Sequence, residues 1–188
     1  MIKSKQELKE YIWADAQANK RKKLAVSIIG DEMWKWQVSM RKLDYYSNNK
    51  VTLLNFLDFF LAKYRFRQLS LKLGFTISPR SCGKGLAIPH YGSIVINGQA
   101  RLGEGCKVLE GVNIGATSGS SFAPQIGNRV FIGSGAKIIG DITIADDVAI
   151  GANAVVVKSI TEPGTTWAGV PARKISDNSS KDNLVVIL

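Results

Sequence analysis

The stretch that decides the fold is residues 125–156, which read QIGNRVFIGSGAKIIGDITIADDVAIGANAVV. An aliphatic residue recurs there at every sixth position, and the same frame extends back to Ile96. An α-helix has 3.6 residues per turn and would scatter such residues around its axis. A six-residue period instead predicts a parallel β-helix, in which each hexad supplies one short strand and one turn. We call these positions the hexad row: Ile96, Leu102, Val108, Ile114, Ile126, Ile132, Ile138, Ile144, Ile150 and Val156.

A second row of small or aliphatic residues lies two positions before most members of the hexad row. Three hexads should close one triangular coil, so that Leu102 stacks on a residue eighteen positions later. One coil cannot bury its own apolar row, and about four stacked coils fit between Ile77 and Val157. Chance alternation in an ordinary β-sandwich is the alternative. The second row consists of Ile94, Ala100, Cys106, Val112, Val130, Ala136, Ile142, Val148 and Ala154.

The hexad row is interrupted once, at position 120. Between Ile114 and Ile126 the chain reads GATSGSSFAPQ, which is rich in serine and glycine. This segment, which we call the excursion loop, should leave the surface of the prism. Loops on a rigid scaffold are where functional sites tend to lie.

Residues 1–74 have helical patterns and form a predicted N-terminal helical region. Ser4 and Glu7 have the spacing of a capping box, and Asp31 is positioned to cap a second helix. A third helix should end at Gly74. It carries one broad apolar face, made of Leu53, Leu54, Leu57, Phe60, Leu61 and Tyr64.

The predicted β-helix occupies residues 75–175. Residues 176–188 form a C-terminal tail, which we expect to be mobile or to pack on a neighbouring molecule. The predicted fold is therefore mostly β, a parallel β-helix with an N-terminal α-helical domain.

The 188-residue chain has a formal net charge of +10, and a basic run occupies residues 20–23. This charge could belong to a solvated helical face. It could also attract an anionic ligand, such as a phosphorylated cofactor or a lipid-linked substrate near a membrane. The hexad region lacks the interleaved aromatic and basic residues that stack on bases, so we expect no nucleic-acid partner.

Several classes of protein are disfavoured by the sequence. The charged start lacks a signal-peptide pattern, and no apolar run has transmembrane length. We therefore expect a cytoplasmic protein, free or peripheral to the inner face of the membrane. Two cysteines, Cys82 and Cys106, do not make a disulfide framework.

His90 is the only histidine, in the segment Ile88-Pro89-His90-Tyr91-Gly92 just before the regular coils. A neutral imidazole can accept a proton from a hydroxyl near neutral pH, so His90 is a candidate general base. One histidine without a thiolate or carboxylate cluster cannot complete a metal site, and no G-x-S-x-G elbow indicates a serine hydrolase. An incidental surface or packed histidine is the alternative.

The prism, the excursion loop, His90 and the segment WAGVPAR at residues 167–173 resemble the hexapeptide-repeat acyltransferases. Within them the chain is most similar to the serine acetyltransferase group, over roughly residues 40–175. The resemblance implies a left-handed parallel β-helix and a homotrimer, with trimers that can pair into hexamers. It implies active sites at subunit interfaces, where acetyl-CoA lies along the prism and a histidine deprotonates the acceptor hydroxyl.

The resemblance also implies roles for particular residues. His90 matches the catalytic histidine. Small residues flanking the coenzyme correspond to Ala116, Ser134 and Ala152, and basic residues near its phosphates correspond to Arg173 and Lys174. Asp44 matches a substrate-binding aspartate of the helical domain, and Tyr91 and Phe122 are further candidate substrate contacts. No metal is expected.

The chain departs from the serine acetyltransferase pattern around the acceptor. The family pairs the base with an aspartate in the first coil, but no Asp or Glu lies between Asp58 and Glu104. Pro89 stands where the family has a second aspartate. Phe122 and Ala123 stand where an Arg-His pair holds the carboxylate of serine. A buried carboxylate without a partner is costly, which favours a neutral, hydroxyl-rich acceptor.

The sequence therefore predicts an acetyl-CoA-dependent O-acetyltransferase, with a sugar of a surface polysaccharide or its precursor as the preferred acceptor. Serine O-acetylation in cysteine biosynthesis is the nearest alternative. A non-catalytic β-helix scaffold and a binder of anionic polymers remain alternatives of other classes.

Overall fold

The computed structural model describes residues 1–27 and 29–184, and it begins with three helices. They are α1 (Lys5–Ala18), α2 (Glu32–Asn48) and α3 (Phe56–Leu73). The side chain of Ser4 caps α1 by accepting a hydrogen bond from the backbone N–H of Glu7 at 3.1 Å. Gly74 ends α3 with a φ of 76°, a left-handed conformation that glycine adopts without strain. Both predicted helix boundaries are confirmed.

The start of α2 differs from the prediction. Asp31 occupies the N-cap position, but its backbone is left-handed and its side chain makes no capping hydrogen bond. Its carboxylate instead forms a two-pronged ion pair with Arg21, at 2.6 and 2.8 Å. The pair ties the chain after α1 to the start of α2.

Short strands follow the helices, and in the regular coils each strand is supplied by one hexad. Their register joins them into three parallel sheets that form the faces of a prism. In chain order they are β1 (Phe75–Ile77), β2 (Ile94–Ile96), β3 (Arg101–Leu102), β4 (Lys107–Val108), β5 (Asn113–Gly115), β6 (Gln125–Ile126), β7 (Phe131–Ile132), β8 (Lys137–Ile139), β9 (Thr143–Ile144), β10 (Ala149–Ile150), β11 (Val155–Val156), β12 (Thr166–Ala168) and β13 (Arg173–Ser176).

The strand order of the sheets follows the coils. One sheet runs β1-β2-β5-β8-β11, the second β3-β6-β9, and the third β4-β7-β10-β12-β13. All pairings are parallel except β12 with β13, a hairpin that closes the end of the prism. The stacking of short parallel strands predicted from the six-residue period is confirmed.

The register shows what the excursion loop does to the coils. Ile126 pairs with Ile144, eighteen positions later, as a coil of three hexads requires. Leu102, however, pairs with Ile126, and Ile114 pairs with Ile138, both twenty-four positions later. The expected eighteen-residue step from Leu102 is wrong because the excursion loop adds six residues to the coil that contains it.

The core consists of the two apolar rows predicted from the sequence. Every member of both rows is buried, and together they form one continuous cluster along the prism axis. Trp36 and Met40 of α2 belong to the same cluster, so the helices share this core with the first coils. The division of the chain at residue 74 stays a prediction about domains.

A buried ion pair anchors the helices to the first coil. Arg41 of α2 donates to the carboxylate of Asp15 on α1, at 2.7 and 3.0 Å, and both side chains are fully buried. The guanidinium also donates to the backbone carbonyls of Cys82 and Gly83. Burial alone would lower the pKa of Arg41, but the charge and hydrogen bond of Asp15 raise it, which keeps the guanidinium charged.

Backbone groups further along the first coil are bound in the same way. The backbone N–H of Leu86 donates to Asp15, and its carbonyl accepts from Gln37 at 2.7 Å and Asn19 at 2.9 Å. The Asn19 side-chain oxygen accepts from the N–H of Ile88 at 3.1 Å. These contacts position the chain two residues before His90.

The described part of the C-terminal segment contacts the prism of its own chain. A short 3₁₀ turn spans Ser180–Asn183, and buried Ser180 donates to the carbonyl of Arg129 at 2.5 Å. Lys107 donates to the carbonyl of Asn183 at 3.0 Å. The rest of the predicted tail, residues 185–188, lies outside the described residues. No helix in the described ranges is long and apolar enough to cross a bilayer.

Candidate active site

His90 lies on the surface where the irregular first coil passes into β2. Its side chain is exposed, and that of the adjacent Tyr91 is 75% exposed. Asn19 binds the backbone just before it, at Ile88, and Gly92 follows with its N–H bonded to the carbonyl of Leu73 at 3.2 Å. The imidazole is therefore carried on a fixed backbone while it remains accessible to substrate.

One corner of the prism runs along the prism axis from the His90 segment through the following coils. Because Val108 pairs with Ile132 and Ile132 with Ile150, Glu110, Ser134 and Ala152 occupy equivalent turn positions in successive coils. Gly92 lies against Glu110, since a Cβ added to Gly92 would lie 3.1 Å from the Cβ of Glu110. We call Gly92, Glu110, Ser134 and Ala152 the corner column.

The corner column contains one carboxylate, that of Glu110, which was not predicted from the sequence. A hydrogen bond with the side chain of Ser134 lowers the pKa of Glu110, and the nearby charge of His90 acts in the same direction. One carboxylate oxygen, Oε2, is buried and has no hydrogen-bond partner among the described residues. A negative charge with a free acceptor position therefore lies next to the His90 segment.

A signal for Glu110 was present in the sequence. Glu110 lies twenty-four positions before Ser134, which is one coil of eighteen residues plus the six residues added by the excursion loop. Glu110 is therefore equivalent to Ser134, a predicted coenzyme contact. The absence of acidic residues between Asp58 and Glu104 does not extend to Glu110, which lies one coil after Gly92.

The six residues added by the excursion loop also place two predicted coenzyme contacts at different corners. Ala116 and Ser134 are eighteen positions apart in sequence, but Gly115 pairs with Ile139, so Ala116 belongs to a different corner. Within one protomer the structure brings Ser134 and Ala152 together and leaves Ala116 with the excursion loop. Phe122, also in that loop, is 65% exposed, whereas its neighbour Ala123 is buried in the core.

Asp44 does not join the group around His90. Its side chain is 1% exposed, and it lies under the first residues of the chain, where Asn48 donates to it at 3.4 Å. Burial raises the pKa of Asp44, although the N-terminal amino group and Arg41 act against the increase. A substrate contact would require this carboxylate to be uncovered, so the structure does not favour the predicted role.

The two predicted phosphate contacts differ in whether acidic side chains of the described residues already pair with them. Lys174 pairs with Glu162 at 2.6 Å and Asp177 at 2.7 Å, and these hydrogen bonds raise its pKa. Arg173 is exposed on β13 and makes no ion pair within the part of the chain that the structure describes. Arg173 is thus the better placed of the two to meet an anionic ligand.

Thiol and metal chemistry receive no support from the described residues. Burial raises the pKa values of Cys82 and Cys106 to about 12, so both thiols stay protonated near neutral pH. No group of three or more His, Cys, Asp and Glu side chains in residues 1–27 and 29–184 could hold a metal ion.

Comparison with known proteins agrees with this architecture. A family described as bacterial transferase hexapeptide (six repeats) matches residues 123–158. A serine acetyltransferase of Helicobacter pylori strain J99 is 36% identical over 121 residues, which cover 63% of this chain and 70% of that protein. A serine acetyltransferase of Escherichia coli K12 is 36% identical over 129 residues, which cover 65% of this chain and 47% of the relative.

Solved structures show the same likeness. The crystal structure of serine acetyltransferase from Brucella abortus strain S19 matches with a TM-score of 0.72 and 27% identity, covering 93% of this chain and 71% of that one. Neisseria gonorrhoeae serine acetyltransferase in complex with serine matches with a TM-score of 0.65 and 25% identity, covering 92% and 71%.

Similarity to serine acetyltransferases in sequence and in structure makes the chain an acyltransferase that uses acetyl-CoA as its acyl donor. The chain belongs to the serine acetyltransferase-like group of the hexapeptide-repeat transferases.

Proposed function

We propose that the chain is an O-acetyltransferase in which His90 removes the proton from an acceptor hydroxyl. The oxygen then attacks the thioester carbonyl of acetyl-CoA, and the coenzyme leaves as a thiol after taking that proton back from the imidazole. The observation that carries this proposal is the corner column, which sets Glu110 beside the His90 segment and continues along the prism through Ser134 and Ala152.

Glu110 is proposed as the positioning residue for His90. A carboxylate beside a histidine holds the ring in one orientation and stabilises the imidazolium that forms during proton transfer. The buried oxygen without a partner and the influence of His90 on the pKa of Glu110 support this role. Glu110 would replace the first-coil aspartate that the chain lacks.

The corner column also suits the coenzyme. Ala152 has a small, exposed side chain, and that of Ser134 is small and partly exposed, so an extended pantetheine arm could approach the coil backbone. Arg173, with no ion pair in the described ranges, would meet the phosphates. The family resemblance adds a left-handed winding and a homotrimer, in which a neighbouring subunit would bring Ala116 and Phe122 to this corner.

L-serine is the acceptor that the comparisons favour, because the matched relatives are named serine acetyltransferases. A saccharide hydroxyl is the second candidate, and it rests on a specific observation. Residues 115–125 contain no charged side chain, and Phe122 is exposed where the family places a cationic pair. A neutral acceptor needs no such cation, whereas the carboxylate of serine does.

Thiol release from acetyl-CoA would be measured with L-serine and with a panel of neutral sugars and nucleotide sugars. Turnover with L-serine at concentrations that leave the sugars unreacted would establish the serine assignment and exclude the saccharide one. The reverse result would exclude serine.

His90→Ala supplies the test of the chemistry in the same assay. We expect it to lower acetyl transfer by about 10²–10⁴-fold while the melting temperature stays unchanged, because the side chain is exposed. Equal turnover by His90→Ala and the unaltered chain, with any acceptor, would contradict the proposed mechanism.

A further inference from the structure

The outer side of α3 is an exposed apolar surface. Leu57, Phe60, Leu61 and Tyr64 follow each other at helical spacing and are 42–79% exposed. Leu53 and Leu54, which the sequence analysis assigned to the helix, lie in the turn before it and are 93% and 98% exposed. We call these six residues the α3 face.

The opposite side of α3 is the one that packs on the protein. Ala62 and Leu73 are buried there, and Phe66 stacks on Trp36 of α2 with ring centroids 5.9 Å apart. The helix is therefore packed on the protein through this side, and the α3 face takes no part in that packing. That face points away from the helical region and away from the core shared with the prism.

Cations border the α3 face on both sides. At 100° per residue, Lys63 and Arg67 flank it along one edge and Arg65 along the other, and all three are exposed. Lys63 also lies 5.9 Å from the ring of Phe59. The acidic residue of α3, Asp58, is already engaged by Lys42 and Tyr46.

We infer that the α3 face rests on the surface of an anionic lipid bilayer. An apolar stripe of leucine, phenylalanine and tyrosine bordered by lysine and arginine is the pattern of a helix lying in a membrane interface. The stripe would enter the boundary between headgroups and acyl chains, while the bordering cations would meet anionic headgroups. The net charge of +10 adds long-range attraction to such a surface.

A second copy of the chain fits this surface less well. Two α3 faces packed together would bring basic borders of the same sign close to each other, and Asp58, the acidic residue of this helix, is already paired with Lys42. An anionic bilayer supplies both the apolar layer and the opposite charge. This inference does not rest on the proposed function, because none of these residues lies in the corner column.

The test is cosedimentation of the full chain with vesicles of phosphatidylcholine alone and with vesicles containing about one quarter phosphatidylglycerol. We expect binding to the anionic vesicles that weakens as salt is added. The double variant Leu57→Gln with Phe60→Gln should lower the partition coefficient by about tenfold or more. Arg65→Gln with Arg67→Gln should lower it severalfold at low salt, by about 3–10-fold.

Val157→Gln is the matched control, because Val157 is an exposed apolar residue of the last coils. It should leave vesicle binding unchanged. Acetyl transfer by the Leu57/Phe60 variant in the absence of vesicles should equal that of the unaltered chain. Loss of vesicle binding together with unaltered transfer would therefore separate this surface from the active site.

Two results would overturn the inference. One is absence of binding to anionic vesicles by the unaltered chain at low salt. The other is a lower solution mass of the Leu57/Phe60 variant with unchanged vesicle binding, which would assign the α3 face to an interface between copies.

Discussion

At the scale of single residues, Glu110 and His90 form the pair on which the proposed chemistry depends. Glu110→Gln keeps the size of the side chain and removes its charge. We expect acetyl transfer to fall by at least about tenfold, because the imidazolium formed during proton transfer loses its counter-charge. The acid limb of the pH–rate profile should also move to lower pH, since a neighbouring carboxylate favours a charged imidazole.

A structural role alone would not move the pH–rate profile. Glu110→Asp keeps the charge on a shorter side chain and should retain more activity than Glu110→Gln, with the acid limb closer to its original position. If both variants lose activity equally with an unshifted profile, Glu110 only supports the turn.

Arg173 and Lys174 form a natural pair of test and control for coenzyme binding. Arg173→Gln should raise the KM for acetyl-CoA by about 3–10-fold, because it removes a charge that is free to meet a phosphate. Lys174→Gln should raise it less, since Lys174 is already held by Glu162 and Asp177. Steady-state kinetics at low ionic strength would compare them, and a larger effect at Lys174 would reverse the assignment.

Single residues were the least predictable level from sequence. His90 could be identified because it is the only histidine and stands just before the regular coils. Glu110 was missed although it lies eighteen positions after Gly92, one regular coil away, and only its alignment with Ser134 depends on the six-residue shift. Asp44 was selected by its distance along the chain, which does not report that the first residues of the protein cover it.

At the scale of elements, the ion pair between α1 and α2 should contribute much of the free energy that holds the helices on the first coil. Arg41→Met leaves the Asp15 carboxylate buried without its cation, and removing one member of such a pair destabilises proteins by about 3–5 kcal/mol. Urea unfolding would measure the loss. Arg21→Met is the matched control and should cost about 1 kcal/mol or less, because the Arg21–Asp31 pair is partly exposed.

Equal losses in Arg41→Met and Arg21→Met would show that burial of the Asp15–Arg41 pair has no special weight.

The helix boundaries around these residues could be predicted because capping depends on neighbours in sequence, as at Ser4 and Gly74. Asp31 differs because Arg21 competes for its side chain, and that contact joins residues ten positions apart. The apolar side of α3 was predicted as a face, but the pattern did not indicate that it would be exposed.

At the scale of the whole molecule, charge pairs on the prism should make stability depend on acid. Hydrogen bonds from the backbone N–H and the side chain of Asn128 lower the pKa of Asp146, and those of Arg129 lower that of Asp147. Their contribution to stability is present above the ordinary value of 3.8 and is lost as the pH falls through the lowered values. Asp44, whose pKa burial raises, works in the opposite direction.

We expect the melting temperature to stay nearly level from neutral pH to about pH 5 and to fall steeply below about pH 4. Asp147→Asn should make this acid-dependent fall shallower, while lowering stability at neutral pH because Arg129 loses its closer carboxylate and keeps only Asp146 at 3.7 Å. Calorimetry across this range would record both effects. A melting temperature that is insensitive to acid down to about pH 2 would contradict the account.

The architecture as a whole could be predicted because its period is local. Each hexad reports its own strand and turn, so ten aliphatic positions in one frame were enough to define three parallel sheets. What the period could not supply was the alignment of one coil on the next across the excursion loop. Stacking depends on total length between coils, and an insertion changes that length without disturbing the local pattern.

The way the helices grip the first coil has a further consequence. The hydrogen bonds that Asp15, Asn19, Gln37 and Arg41 make with residues 82–88 go to their peptide groups. The joint therefore depends on the path of the main chain, while the side chains of Cys82, Leu86 and Ile88 are buried in the core. A graft of the helical region onto another prism would need both these carbonyl and amide positions and the apolar contacts that Trp36 and Met40 make with the first coils.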